Sequence, residues 1–234
     1  MSPYAKAILS YHRGNTETVL EIIRDDGEKR AIPVSHLYET GDFPELENHA
    51  LAACRGTVLD GGAGAGRHAL ALRARGLQVL AVDIEPALCT VLAQRGINAV
   101  TADLLAWTGP RVDTLLMLKN GIGMTGTPAR LDAFLSQLGT MLEPGGQLLC
   151  DSIDVLSSRD PARQAYGRAN LAAGRYPGQH AYRIFWGGEG GAAFDWLHLS
   201  YGCLARHCGA AGLSCELLRQ GPDGHYLARV ALME

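Results

Sequence analysis

The sequence predicts an α/β protein with a doubly wound, mostly parallel seven-stranded sheet, helices on both faces and a C-terminal antiparallel strand pair. Three observations lead to this prediction. Short apolar runs alternate with helical patterns over residues 57–151, as in parallel sheets that are covered on both faces. The first of these runs leads into a glycine-rich turn. The last two strand-like runs are joined by a short Gly-Pro-Asp-Gly turn, which is typical of an antiparallel pair.

The composition indicates a folded chain. Its 234 residues are 47% hydrophobic and 19% charged, with a net charge of −3, whereas disordered chains are poor in apolar residues and highly charged. The 29 glycines exceed the roughly 16 expected from the usual share of about 7%. Glycines in such excess can mark tight turns and places where the backbone approaches a ligand. The slightly acidic balance argues against nucleic acid as the main partner.

The cysteines and the N-terminus predict a location in the cytoplasm. The six cysteines lie within apolar patterns without close paired spacing, so we expect reduced thiols. The first residues do not form a charged segment followed by an apolar core, as a secretory signal would. No apolar run approaches the ~18 residues that cross a bilayer, so we expect no membrane association. The oligomeric state stays open.

Residues 1–234 are predicted to form one domain with four segments. Residues 1–56 form an N-terminal extension with a helix and a hairpin around Asp25-Asp26-Gly27, since Asp-Gly favours hairpin turns. Residues 57–151 form the core. Residues 152–200 form an aromatic-rich insertion or lid, and residues 201–234 form a helix followed by the terminal strand pair.

The core elements follow from turn chemistry and apolar runs. The predicted strands cover 57–60, 77–83, 97–101, 112–118 and 147–151. Pro86 and Pro128 begin helices, because proline is favoured at the first helical position. Gly96 ends the first of these two helices. The sequence Glu143-Pro144-Gly145-Gly146 is predicted to turn the chain into the strand at 147–151.

Aromatic residues concentrate in the insertion. Eight of the fifteen lie in residues 166–201. They can form a small satellite core, or a lid whose rings shape a ligand pocket, and both interpretations remain open. Candidate substrate contacts are Tyr182 and Trp186 in this segment and Tyr11 in the N-terminal extension.

The central motif is the turn Asp60-Gly61-Gly62-Ala63-Gly64-Ala65-Gly66, which follows the first core strand. Glycines here let the backbone pass close to a ligand, while N–H groups at the helix start point towards it. A dinucleotide fingerprint fits the letters only from Gly64, four residues beyond Asp60. Asp60 would also face a pyrophosphate, where negative charge is unfavourable. The alternative pattern, Asp-x-Gly-x-Gly-x-Gly, is in register with the strand end.

With this second pattern, the sequence resembles class I S-adenosylmethionine-dependent methyltransferases over residues 57–151. Their cofactor, S-adenosylmethionine, has no phosphate and carries a sulfonium and an ammonium group, so an acidic residue in the turn is chemically reasonable. Four later segments match the family in order: Val79–Ile84, Thr101–Leu104, Leu116–Gly123 and Leu142–Leu149.

The resemblance implies a set of cofactor-binding residues. Asp83 would accept both ribose hydroxyls, and Ile84 would pack on the adenine. Asp103 would bind the adenine amino group, with a backbone contact from Leu104. Asn120 would lie at the methionine end of the cofactor. The remaining members form the glycine turn: Asp60, Gly61, Gly62, Gly64 and Gly66.

The first functional hypothesis is methyl transfer to an oxygen or nitrogen atom of a small molecule or natural product. The second is a non-catalytic module that binds S-adenosylmethionine. The third is an NAD(P)-dependent oxidoreductase, because an acid such as Asp83 also binds ribose in those enzymes. His12 is the one candidate for a catalytic base. No metal is expected: Cys203 and His207 are i, i+4 on one helix face, but this face is interpreted as a buried apolar stripe.

Overall fold

The computed structural model describes residues 1–233. The helices are α1 (Pro3–His12), α2 (Ser35–Tyr38), α3 (Glu45–Ala53), α4 (Arg67–Ala74), α5 (Pro86–Gln94), α6 (Pro128–Ser136), α7 (Leu138–Met141), α8 (Pro161–Ala172) and α9 (Tyr201–Ala210). The strands are β1 (Val19–Arg24), β2 (Lys29–Pro33), β3 (Thr57–Gly61), β4 (Gln78–Asp83), β5 (Asn98–Thr101), β6 (Val112–Met117), β7 (Leu142–Ile153), β8 (Gln179–Trp186), β9 (Glu189–Gly190), β10 (Phe194–Leu197), β11 (Leu213–Gln220) and β12 (His225–Leu232). Short 3₁₀ turns cover Leu104–Ala106, Gly121–Thr125 and Pro222–Gly224.

The main sheet confirms the predicted fold class. Its seven strands follow the order β11-β12-β7-β6-β3-β4-β5. Strands β4 and β5 are parallel, as are β6 and β7. Strand β12 runs antiparallel to both β7 and β11, so the C-terminal pair closes one edge of the sheet as predicted.

A second sheet has the order β10-β8-β1-β2, with β9 paired to β8. The predicted N-terminal hairpin is present as β1 and β2, in register from Val19 opposite Pro33 to Ile23 opposite Lys29. Strand β1 also pairs antiparallel with β8. This pairing joins residues about 160 positions apart in the chain, so no local pattern predicts it.

The chain divides into two compact units. The first unit contains residues 1–43, 59–107 and 181–194, and the second contains 44–58, 108–180 and 195–234. These boundaries do not follow the predicted four segments, and the division into segments stays a prediction.

In the first unit, helix α1 is fixed by a cap and by packing. Ser2 Oγ accepts a hydrogen bond from Ala5 N at 3.2 Å, and Pro3 occupies the first turn, the arrangement favoured at helix starts. The buried face of α1 joins a cluster with residues of β1, α5 and the glycine turn. Its buried members are Ala5, Ala7, Ile8, Tyr11, Leu20, Val34, Ala65, Leu88 and Val91. The turn and α1 are therefore held in one apolar core.

In the second unit, strand β7 begins earlier than predicted. It starts at Leu142 opposite Val112, but two residues later Thr114 already lies opposite Gln147. This shift in register accommodates the predicted turn Glu143–Gly146 within the strand. From Gln147 onward β7 is buried, as expected for a strand with neighbours on both sides.

Helix α8 lies within the predicted insertion at residues 152–200, for which no helix is predicted. Only Gly167 and Asn170 are buried in it, so an apolar stripe of helical period is nearly absent. Its start nevertheless had a recognisable signal. Asp160 caps the helix by accepting from Ala162 N and Arg163 N, and Pro161 occupies the first turn, which together form a helix-start signature.

Candidate active site

The glycine turn after β3 has a backbone that favours glycine at alternate positions. Gly62, Gly64 and Gly66 have φ values of 71°, 56° and 80°, in the left-handed region that side chains disfavour. Gly61 has no positive φ, but a Cβ there would overlap Leu104. The predicted motif is thus a close-packed turn in which side chains would disturb either the backbone or its neighbours.

Asp60 is a buried acid at the end of β3. Its residue exposure is 2%, and Oδ2 has no hydrogen-bond partner within residues 1–233. Burial raises the pKa of this carboxyl, while His68 and a backbone hydrogen bond from Ala69 act in the opposite direction. An unpartnered buried carboxylate oxygen is costly, so this atom is suited to a ligand that brings a donor or a positive charge.

Asp83 anchors the glycine turn as well as facing it. One carboxylate oxygen, Oδ2, accepts from Gly64 N at 2.9 Å. The other, Oδ1, accepts from Glu85 N at 2.9 Å. Burial raises the pKa of Asp83. Because a carboxylate offers about four lone-pair positions, both oxygens keep capacity for a further donor.

The remaining predicted residues of the first unit surround this turn or its strand ends. Ile84 follows Asp83 and is 67% exposed. Leu104 is buried and contacts Gly61. Asp103 is exposed, and its Oδ1 accepts from Leu105 N at 2.9 Å, which begins the 3₁₀ turn.

Sequence reasoning missed Tyr4, whose hydroxyl lies over the turn. A Cβ at Gly64 would be 2.8 Å from Tyr4 Oη. Burial raises the pKa of this phenol, and the carboxylate of Asp83 adds to the effect. No motif marks Tyr4 in the sequence, because it reaches the turn only through the packing of α1.

In the second unit, Asn120 follows β6 in a strained backbone. Lys119 and Asn120 have φ values of 62° and 57°, and consecutive left-handed residues other than glycine are typical of functional sites. Asn120 N donates to Asp151 Oδ1 at 2.7 Å, while Asn120 Oδ1 is buried without a partner within residues 1–233.

Lys119 Nζ lies 3.1 Å from Oε1 of the buried Glu47. Asp151 is the last residue of the predicted strand 147–151, and this position could have marked it in the sequence.

The candidate base and one candidate substrate contact are already engaged in the first unit. His12 Nε2 lies 2.8 Å from Gln94 Oε1, and Nδ1 lies 2.6 Å from Tyr38 Oη. Both ring nitrogens of His12 are therefore within hydrogen-bond distance of side chains of the protein. Tyr11 is buried and donates to Glu39 Oε1 at 2.7 Å, which together with burial raises its pKa to about 12. A functional role for either residue stays a prediction.

The other two substrate candidates also belong to the first unit. The ring of Tyr182 lies 6.2 Å from that of Phe194. Trp186 lines a surface cleft of about 360 Å³ together with Lys6 and Arg13 on the outer face of α1. Their contact with a substrate stays a prediction.

Within residues 1–233, no helix combines the length and apolar character needed to cross a membrane. No group of three or more His, Cys, Asp or Glu side chains is arranged to hold a metal ion in that range. The His207 ring bonds Asp132 through Nδ1 at 2.5 Å, and Cys203 is buried.

The first unit fits S-adenosylmethionine in its chemistry. The unpartnered oxygen of Asp60 suits a cationic group, and Asp83 retains acceptor capacity. A pyrophosphate would have to approach two buried carboxyl groups, which Coulomb repulsion disfavours. The site therefore favours this cofactor over NAD(P).

Comparisons with known proteins define the family. The family described as methyltransferase domain matches residues 58–146. A S-adenosylmethionine-dependent methyltransferase from Bacteroides fragilis, solved with S-adenosyl-L-homocysteine, is 30% identical, with 99% of this chain and 94% of that chain covered and a TM-score of 0.87. The chain belongs to the S-adenosylmethionine-dependent methyltransferases of class I, and S-adenosylmethionine is its cofactor.

Two more distant structures share the fold. DhpI, solved with S-adenosylmethionine, is 19% identical over 99% of both chains with a TM-score of 0.61. CalS10 from Micromonospora echinaspora, an amino pentose methyltransferase, is 16% identical over 80% of this chain and 88% of that chain, with a TM-score of 0.52. A comparison with proteins of curated function found no match to the chain.

Asp60 is expected to lower the stability of the ligand-free protein and to raise its affinity for the cofactor. Its pKa is raised in the folded state, so the charged form destabilises the ligand-free protein at pH values above the ordinary value of 3.8. We expect Asp60→Asn to raise the melting temperature of the ligand-free protein at pH 7, and this gain to shrink as the pH is lowered towards 4. Its affinity for S-adenosylhomocysteine should fall about tenfold, as for a lost charge-assisted partner.

Thermal melts across this pH range and calorimetric titration measure both effects. Glu85→Gln removes a charge two residues from Asp83 and is the matched control for net charge. A melting temperature for Asp60→Asn that follows the wild type at every pH, with unchanged affinity, would contradict a strained carboxylate at residue 60.

Proposed function

We propose that this methyltransferase transfers the methyl group of S-adenosylmethionine to an oxygen or nitrogen atom of a small molecule or natural product. The single observation that supports S-adenosylmethionine as the methyl donor is the buried oxygen of Asp60 beside the glycine turn, which has no partner within residues 1–233. The aromatic side chains of 166–201 support an acceptor with an apolar or ring-shaped body, because aromatic residues commonly line small-molecule pockets. The amino pentose methyltransferase CalS10 shares the fold, which agrees with a small acceptor.

Cofactor binding is assigned to the residues predicted from the sequence. The glycine turn would pass beneath the ligand, and Asp60 would offset the positive charge of the cofactor. Asp83 would accept the ribose hydroxyls while it holds Gly64 N. Ile84 would cover one face of the adenine, since an exposed apolar side chain gains from being covered. Asp103, Leu104 and Asn120 complete the proposed set.

The bound cofactor supplies an electrophilic methyl group on a sulfonium. The chain contributes binding and orientation, since holding two reactants in line can supply much of the rate. Lys119 and Asn120 follow strand β6. Lys119 forms an ion pair with Glu47, and the carboxamide oxygen of Asn120 is buried without a partner within residues 1–233. These polar groups would orient the methyl acceptor. His12 stays the candidate base, and it would have to release Tyr38 or Gln94 to act.

We also propose that the protein works in a reducing compartment such as the cytoplasm. All six cysteines are free thiols in the structure, which agrees with the expectation from their spacing.

Label transfer from methyl-tritiated S-adenosylmethionine into a cell extract tests the proposal. After the reaction, the extract is separated by ultrafiltration into a small-molecule filtrate and a macromolecular retentate. We expect the label in the filtrate for the wild type and none for Asp83→Ala. Label that enters protein or RNA in the retentate would overturn the small-molecule acceptor. Cofactor binding with no transfer to either fraction would favour the non-catalytic module.

A further inference from the structure

The hydroxyl of Tyr4 lies against the cofactor turn. A side chain at Gly64 would place its Cβ 2.8 Å from Tyr4 Oη, so the hydroxyl occupies the space directly above this glycine. The Asp83 carboxylate, which accepts from Gly64 N, is close enough to act on this phenol electrostatically. Tyr4, Gly64 and Asp83 therefore enclose the same part of the site.

Helix α1 holds this hydroxyl in place. The helix is capped by Ser2, whose backbone N also donates to Glu85 Oε1 at 3.2 Å. Lys6 forms an ion pair with Glu189 on the outer side of α1. Together with the buried face of α1 in the apolar cluster, these contacts fix Tyr4 before any ligand binds, and a preorganised group loses little entropy on binding.

The proton on Tyr4 makes it a donor. Burial and the nearby Asp83 raise the pKa of the phenol, so the hydroxyl stays protonated at neutral pH. Asp83 accepts hydrogen bonds and can bind ribose hydroxyls, whereas Tyr4 needs an acceptor. Of the groups on the cofactor, the carboxylate of its methionine part is the strongest acceptor, since bonds to ionised oxygens are about twice as strong as neutral ones.

We propose that the Tyr4 hydroxyl donates a hydrogen bond to the carboxylate of the bound cofactor, which makes Tyr4 a cofactor-binding residue and α1 a part of the site. This inference rests on the proposed function only through the cofactor and is independent of the methyl acceptor. It also supplies a donor for a carboxylate beside two acidic residues, because the N–H groups of Gly62, Ala63 and Gly64 are already bonded within the protein.

Two ligands that differ in one group test the inference by calorimetric titration. S-adenosylhomocysteine carries the carboxylate, and its decarboxylated form keeps the adenosine, thioether and amine. Both are titrated into wild type, Tyr4→Phe and Tyr11→Phe. Tyr11→Phe is the matched control. It removes a hydroxyl from the same face of α1, and this hydroxyl is already bonded to Glu39.

We expect Tyr4→Phe to weaken binding of S-adenosylhomocysteine at least about tenfold and to leave the affinity for the decarboxylated ligand unchanged. The ratio of the two affinities should stay at the wild-type value in Tyr11→Phe. Because both ligands are measured on the same protein, any loosening of α1 cancels from that ratio. An equal loss for both ligands would overturn the carboxylate contact, as would no loss for either. Failure of wild type to bind S-adenosylhomocysteine would instead refute the cofactor itself.

Discussion

Replacing Asp83 with Ala is expected to raise the Kd for S-adenosylhomocysteine at least about 100-fold, or about 3 kcal/mol. Two losses combine in this variant. The ribose hydroxyls lose an ionised acceptor, which contributes about 1.5–3 kcal/mol per hydrogen bond. Gly64 N also loses its 2.9 Å bond to Oδ2, so the turn is no longer held in its binding conformation. Asp83→Asn keeps one acceptor oxygen and should bind with an intermediate affinity.

Isothermal titration of the ligand-free protein measures this prediction, with melting temperature as the check on folding. Glu85→Gln is the matched control, because the side chain of Glu85 bonds Ser2 N and not the turn. Its Kd should stay within about threefold of wild type, or about 0.7 kcal/mol. A folded Asp83→Ala protein with wild-type affinity would mean that the ribose is bound elsewhere.

Replacing Gly66 with Ala is expected to lower the free energy of unfolding by about 2–5 kcal/mol. Gly66 has a φ of 80°, and a side chain there costs about 1–2 kcal/mol in backbone strain. Its Cβ would also lie 2.5 Å from Cδ2 of the buried Leu92, and overpacking a core adds about 1–3 kcal/mol.

Gly76→Ala separates the two causes. Gly76 has a φ of 84°, but a Cβ there meets nothing within 4 Å, so only the strain of about 1–2 kcal/mol applies. Urea unfolding curves for both variants measure the difference. In a double-mutant cycle, Leu92→Ala should relieve part of the loss at Gly66, with a coupling of about 1 kcal/mol or more. Equal losses at Gly66 and Gly76 would show that Leu92 does not restrict the turn.

The cofactor turn was the most predictable part of the site. Asp60, Gly62, Gly64 and Gly66 lie within a few residues of one another, and the positive φ values are a local property that glycine itself reveals. The hairpin of β1 and β2 and the start of α5 at Pro86 are local in the same sense, because the turn or cap residue lies inside the element that it forms.

Residues that act across the chain were not predictable in this way. Tyr4 reaches Gly64 only through the packing of α1 in the apolar cluster. The ion pair of Lys119 with Glu47 joins residues about 70 positions apart, and nothing near either residue indicates the other. The same holds for the pairing of β1 with β8.

The class of fold, the family and the cofactor could be predicted from the amino-acid sequence, because periodicity, turn chemistry and motif spacing are carried by neighbouring residues. Three properties became visible only in the folded chain: one oxygen of Asp60 is buried without a partner within residues 1–233, Asp83 holds the turn that it faces, and Tyr4 lies over that turn. These properties arise from which distant segments pack together. Burial and hydrogen-bond satisfaction are set by that packing, whereas the sequence specifies only which groups are present.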